Sequence, residues 1–130
     1  MPEKNFDEWN RLKQRLDATD RVAFIHEGDV WFCSIGKNVG QEQDGKHALY
    51  EWPILIVRTF TKNYFLGVPL SSKTRIGPYS MPITYHGQSS VGLLFHMRAF
   101  DCKRLQRRLG RISDDALKDL KQKLMGLLTN

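Results

Sequence analysis

The chain carries only two cysteines in 130 residues, Cys33 and Cys102, with no pairing motif beside either. That scarcity argues against a disulfide scaffold or a zinc cluster and for buried, reduced thiols. No apolar run is long enough to cross a bilayer as a helix. The opening MPEKNFDEWNRLKQRLD is charged throughout and lacks an apolar h-region, so it reads as no secretory signal, and a cytoplasmic protein is expected. There is no P-loop, no GxGxxG, no HExxH and no CxxC. The four histidines, His26, His47, His86 and His96, lack ligand spacing, which disfavours metal-assisted hydrolysis. Neither a metal nor another cofactor is expected.

What is present suits one globular domain. Hydrophobic residues make up 41% and charged residues 26%, ordinary values at a length that supports a real core. The net charge of +6 leaves two readings open: attraction to a polyanion such as nucleic acid or an acidic protein segment, or a solvated basic surface.

Residues 5–18 read as an amphipathic helix, with Asn5 as cap and Phe6, Trp9, Leu12 and Leu16 on one face. GDVWFCSI (28–35) reads as a strand, followed by a glycine-punctuated loop long enough to suggest function. PILIVRTF and NYFLGVPL are two further strands joined at Thr61-Lys62-Asn63. MPITYH and VGLLFHMRAF follow, turned at Gly87-Gln88. The last segment is a helix: Ser113 caps, Asp114 and Asp115 complement the dipole, and Leu117, Leu120, Leu124, Leu127 and Leu128 form the apolar stripe. The expected fold is mainly β within an α+β class. It comprises a helical extension over 1–20, a small bent sheet or barrel over 27–112, and a helix over 113–128.

Three segments bear polar chemistry. GQEQDGKH supplies Glu42, Gln43, Lys46 and His47 on a loop. VPLSSK ends a strand in Ser71 and Ser72, with Lys73 and then Arg75 behind them. HMRAFDCKRLQRRLGR carries Arg98, Lys103, Arg104, Arg107, Arg108 and Arg111 against a single carboxylate, Asp101. A basic run of that kind attracts phosphates without regard to sequence, or else protects an edge strand from aggregation.

GDVWFCSIG, GQEQDGK, PILIVRTF, FLGVPLSSK and MRAFDCKRLQRRLGRIS, in that order over roughly residues 27–127, resemble the MazF/PemK (Kid) toxins of type II toxin–antitoxin systems. The N-terminal helix is similar to an extension of one PemK-like branch. The resemblance implies an SH3-like β-barrel, a homodimer, and metal-independent endoribonuclease cleavage of single-stranded RNA. In such cleavage the ribose 2′-OH attacks the adjacent phosphate. It also implies neutralisation by an acidic antitoxin. By position, Ser71 matches the hydroxyl at the family's strand end and Glu42 the acidic loop residue. Gln43, Lys46, His47, Ser72, Lys73, Arg75 and Arg98 are the expected RNA contacts.

The match breaks at two places. The family's catalytic arginine precedes the proline that opens the second strand, and here that residue is Trp52, before Pro53. An indole gives one neutral hydrogen bond and cannot serve as a base. Losing a charged donor to a transition-state oxyanion costs ~10²–10³ in rate. Phe95 and His96 likewise replace a small polar residue and an amide. Three accounts follow: a disabled toxin that keeps its fold and partners, acid–base compensation by His96 or His47, or a charge supplied by Lys46 or Arg58. Trp52 itself can stack on a base, worth ~1–3 kcal/mol, or simply fill the edge of the sheet.

Overall fold

The computed structural model describes Glu8 and residues 24–35, 51–73 and 75–129. The expected N-terminal helix, Glu8 apart, and the loop residues Glu42, Gln43, Lys46 and His47 lie outside these residues.

Seven strands and one helix make up the described chain: β1 (Asp29–Ser34), β2 (Glu51–Thr61), β3 (Tyr64–Ser71), β4 (Ser80–Tyr85), β5 (Gln88–Leu93), β6 (Arg98–Asp101), β7 (Leu105–Arg111) and α1 (Asp114–Thr129). All pairings are antiparallel, in the order β4-β5-β3-β2-β1-β7, with β6 also on β3. β2 and β3 are central because they are the longest runs of apolar and β-branched residues. Residues alternate faces along a strand, and the two faces of β2 feed two clusters. Leu55 and Val57 join Val30, Val68, Leu70, Ile83, Tyr85 and the α1 residues Leu120 and Leu124. Ile54 and Ile56 join Cys33, Phe65, Phe100, Cys102 and Leu105. Gly67 of β3 makes the second cluster possible: a Cβ there would sit 2.5 Å from Ile54 Cγ2 and 3.0 Å from the Phe100 ring.

The expected closed barrel is not formed: β4 and β7 end the sheet and share no ladder. β3 divides its free edge, giving Tyr64–Gly67 to β6 and only Leu70 and Ser71 to β5. The β4–β5 hairpin therefore hangs from β3 by two residue pairs. It reaches β7 by packing alone, where Gly110 lies against its turn at His86.

Two other expectations shift. The hairpin turn is His86-Gly87, both at positive φ (48° and 73°), rather than Gly87-Gln88. This two-residue geometry matches strand twist, and histidine tolerates it better than a β-branched residue would. VGLLFHMRAF is two strands, split by a single 3-10 turn at Leu94–His96. The C-terminal helix forms as expected, capped by Ser113, whose Oγ accepts from the Ala116 N–H at 3.1 Å. Both described cysteines are free and buried, as their sequence context suggested.

Candidate active site

β2 begins at Glu51 where β3 ends at Ser71, so one end of the sheet gathers the polar ends of its two central strands. The β2–β3 ladder ends at Ile54↔Pro69, and Trp52 and Ser71 each lie two residues beyond it, where both line one cleft. On the other side Trp52 pairs with Cys33, and Ser71 with Val91. Trp52 and Ser71 are therefore brought to the same end of the sheet by the ladder that the buried run of β2 forms with β3. The Trp52 ring is half-buried against the Ile54–Phe65–Phe100 cluster, and its Nε1 is sealed from solvent.

Ser71 is half-buried, and its Oγ accepts from the Lys73 N–H at 3.2 Å, which bends the chain after β3. Ser72 and Lys73 are exposed at this bend. Together with Glu51, Pro53, Phe32, Leu70, Tyr85 and the start of β5 at Gln88–Ser90, these residues enclose an open cleft of ≈ 190 Å³. Phe32, Trp52, Pro53 and Leu70 give it apolar surface; among the described residues its rim carries hydroxyls, an amide and one ammonium, and Glu51 is the one carboxylate. Burial pushes the Tyr85 phenol above its ordinary value, so it serves as a neutral floor at neutral pH.

The sequence candidates separate on this geometry. Trp52, Ser71, Ser72 and Lys73 are brought together. His96 and Arg98 do not line the cleft: the His96 ring packs on Phe95 at 4.4 Å, and the Arg98 guanidinium lies 4.8 Å from the Phe100 centroid. Arg75 is exposed and outside the lining as well. Arg58 is exposed and six residues along β2 from Trp52, or ~20 Å at strand rise, too far to replace a charge beside Ser71.

Part of the basic run is also accounted for within the fold. Arg108 reaches Asp29 and Arg111 reaches Asp114, each at 3.3 Å. Arg104 donates to the Ser34 carbonyl at 3.3 Å, and burial lowers its pKa from the ordinary value. Arg107 covers one face of Phe32 at 4.6 Å. The carboxylates that face β7 come from β1 and α1; Asp114 is only three residues from Arg111, whereas Asp29 is brought to Arg108 by the fold alone.

Glu51, Phe32, Tyr85, Gln88, Ser89 and Ser90 were not expected in a site. One signal was available for Glu51: counting back by two from Leu55 through Pro53 places it on the cleft-facing side of β2. Among the described residues, no group of three or more His, Cys, Asp or Glu is placed to hold a metal ion, and no helix is long and apolar enough to cross a membrane.

Comparison with known proteins gives this arrangement a context. Searched against curated proteins, the sequence finds no significant match. Among solved structures, MazF from Deinococcus radiodurans superposes with a TM-score of 0.64 at 23% identity, covering 85% of this chain and 100% of that one. An endoribonuclease from a mycobacterial species, solved with its cognate antitoxin, gives a TM-score of 0.62 at 16% identity over 80% and 94% of the two chains. The MazE-MazF complex from D. radiodurans gives a TM-score of 0.58 at 23% identity over 85% and 98%. At these identities the structures establish a shared fold. The family itself is set by sequence, since residues 26–128 match the PemK-like, MazF-like toxin of type II toxin–antitoxin systems, and the chain belongs to that family.

Proposed function

We propose that this chain is a sequence-specific toxin endoribonuclease that cuts single-stranded mRNA without a metal, acts as a homodimer, and is held in check by an acidic antitoxin. We further propose that Trp52 leaves it with strongly reduced activity. The observation that carries the reading is that Trp52 and Ser71, from the adjoining ends of β2 and β3, line one cleft. It is supported by membership in a family of endoribonuclease toxins. Two neighbours of the same fold, solved as complexes with an antitoxin, support the protein partner.

In this reading the 2′-OH attacks the adjacent phosphate, so nucleophile and target already share one molecule and positioning contributes heavily. The Ser71 hydroxyl donates to a phosphate oxygen, and Lys73 adds positive charge at the exposed bend. Trp52 takes the place where a guanidinium would give charged, bidentate hydrogen bonds to the phosphorane. The antitoxin's acidic segment would order on the basic surface as it binds.

The test compares the protein with Trp52→Arg on single-stranded RNA in EDTA, read on a gel. We expect the arginine variant to cleave at least ~10²-fold faster. Equal cleavage by both would refute the attenuation and send the search to His96 and His47. Cleavage by neither would remove the ribonuclease reading.

A second reading, a binding protein without catalysis, is favoured by one observation: the Trp52 ring is packed into the second cluster, as a core-edge filler is. Cells that grow normally while accumulating the soluble protein, together with an inert arginine variant, would decide for it.

A further inference from the structure

Glu51 is half-buried at the cleft, and among the described residues its carboxylate forms no hydrogen bond or ion pair. In a chain of net charge +6, beside hydroxyls and Lys73, this anion repels the phosphates that the rest of the site would attract. A shielded carboxylate is costly unless a donor meets it. Its natural counterpart is therefore a part of the ligand that carries N–H groups rather than phosphate oxygens.

The position of Glu51 narrows the choice. It pairs with Ser34, one residue before Trp52, and so lies on the opposite face of β2 from Trp52. That face belongs to Pro53, Phe32 and Leu70, which wall the cleft, with the buried Tyr85 beneath. Arg107 packs on one face of Phe32 and fixes the ring as a wall. Gln88 and Ser90 complete a polar rim. An aromatic ring and apolar side chains set among convergent hydroxyl, amide and carboxylate groups suit an unstacked base, next to the strand ends where the phosphate would be held.

We propose that this cleft takes one nucleobase of the RNA and that Glu51 reads it as guanine. The inference rests on the RNA reading above and deepens it. A carboxylate only accepts, and its two oxygens fit two parallel donors. Guanine presents N1–H and its N2 amino group side by side on the Watson–Crick edge. Adenine, cytosine and uracil each place an acceptor beside their single donor, and that acceptor would face the carboxylate.

The experiment selects ligands for the unaltered protein from a randomised pool of 2′-O-methyl RNA, which lacks the attacking hydroxyl, and measures affinities of selected oligonucleotides by anisotropy. One position should be enriched in guanine. Inosine at that position, which lacks the N2 amino group, should weaken binding on the order of 10-fold, and Glu51→Gln should weaken it on the order of 10–100-fold and flatten the preference. The inosine arm needs no variant, so a misfolded Glu51→Gln protein leaves the test intact. Binding without guanine enrichment, or a preference unchanged in Glu51→Gln, overturns this inference and leaves the RNA reading standing. Loss of cleavage in Glu51→Gln with unchanged affinity and preference also overturns it, since Glu51 would then act in the chemistry. No binding to any RNA by the unaltered protein sinks both readings.

Discussion

Cys33 is wholly buried at the junction of β1 with β2 and β7, and burial pushes its thiol from 9.0 up to about 12. The folded state thus holds a proton that the unfolded chain releases near pH 9. The Cys33 contribution is fully present below that pH and is lost as pH rises towards 12, by at most ~1.4 kcal/mol per unit. Urea midpoints followed from pH 8 to 11 should fall less steeply in Cys33→Ala than in the parent, and parallel curves would contradict the assignment. The same residue shows what is readable locally. A lone cysteine inside an apolar strand has few roles, and burial was foreseeable. Ser71 was equally legible as a hydroxyl at a strand end. Glu51 was not, because a carboxylate at the edge of a long loop reads as solvated until the partners of β2 are known.

At the scale of elements, α1 is held to the sheet by its leucine stripe and by polar ties, among them Lys123 Nζ, which donates to the Ser80 carbonyl at 2.9 Å, and the pair of Lys121 with Glu27. Lys121 Nζ donates to Glu27 Oε1 at 2.8 Å, while Glu27 Oε2 accepts from the Thr59 N–H at 3.2 Å. The Lys121 hydrogen bond is the main reason that the Glu27 carboxyl titrates below its ordinary 4.5. A depressed carboxyl gives stability above the unfolded value and surrenders it as pH falls through the folded one. Both side chains are about one-third exposed, so the bridge is worth no more than ~1 kcal/mol. Lys121→Met should lower stability by that amount at pH 7 and by less near pH 3, as chemical denaturation at the two pH values would show. The helix was readable because its cap, dipole charges and stripe all lie within a few consecutive residues. The break at Leu94–His96 was not: LLFHM is apolar enough to continue a strand. It bends because β3 must hand its edge from β5 to β6.

For the whole molecule, the open seam between the β4–β5 hairpin and β7 is the feature that local sequence could least supply. Closure depends on how many residues β3 can offer each partner, a property of pairing rather than of any one strand. Gly110 permits the contact that replaces a ladder, since a Cβ there would meet His86 Cβ at 3.2 Å. Gly110→Val should push the hairpin outward and destabilise the fold by about 1–3 kcal/mol. Amide exchange should accelerate in β4 and β5 more than in β2 and β3, and uniform acceleration would argue against an independently moving hairpin. Charge, too, was only half legible: the basic run was plain, and Asp114 lies only three residues from Arg111, but the fold ties Arg108 to Asp29 from a distant segment.

The strand register that gathers Cys33, Trp52 and Ser71 also governs how sequences of this kind can diverge in length. Side chains alternate with a period of two, so dropping one residue from the Lys62-Asn63 hairpin would slide β2 against β3 and exchange the faces of Trp52 and Glu51. Insertions upstream of Glu51 carry no such penalty, because β2 takes its register from β1 and β3 rather than from the segment that leads into it. The fold should therefore accept added residues before β2 far more readily than a change in the number of residues from Trp52 to Ser71.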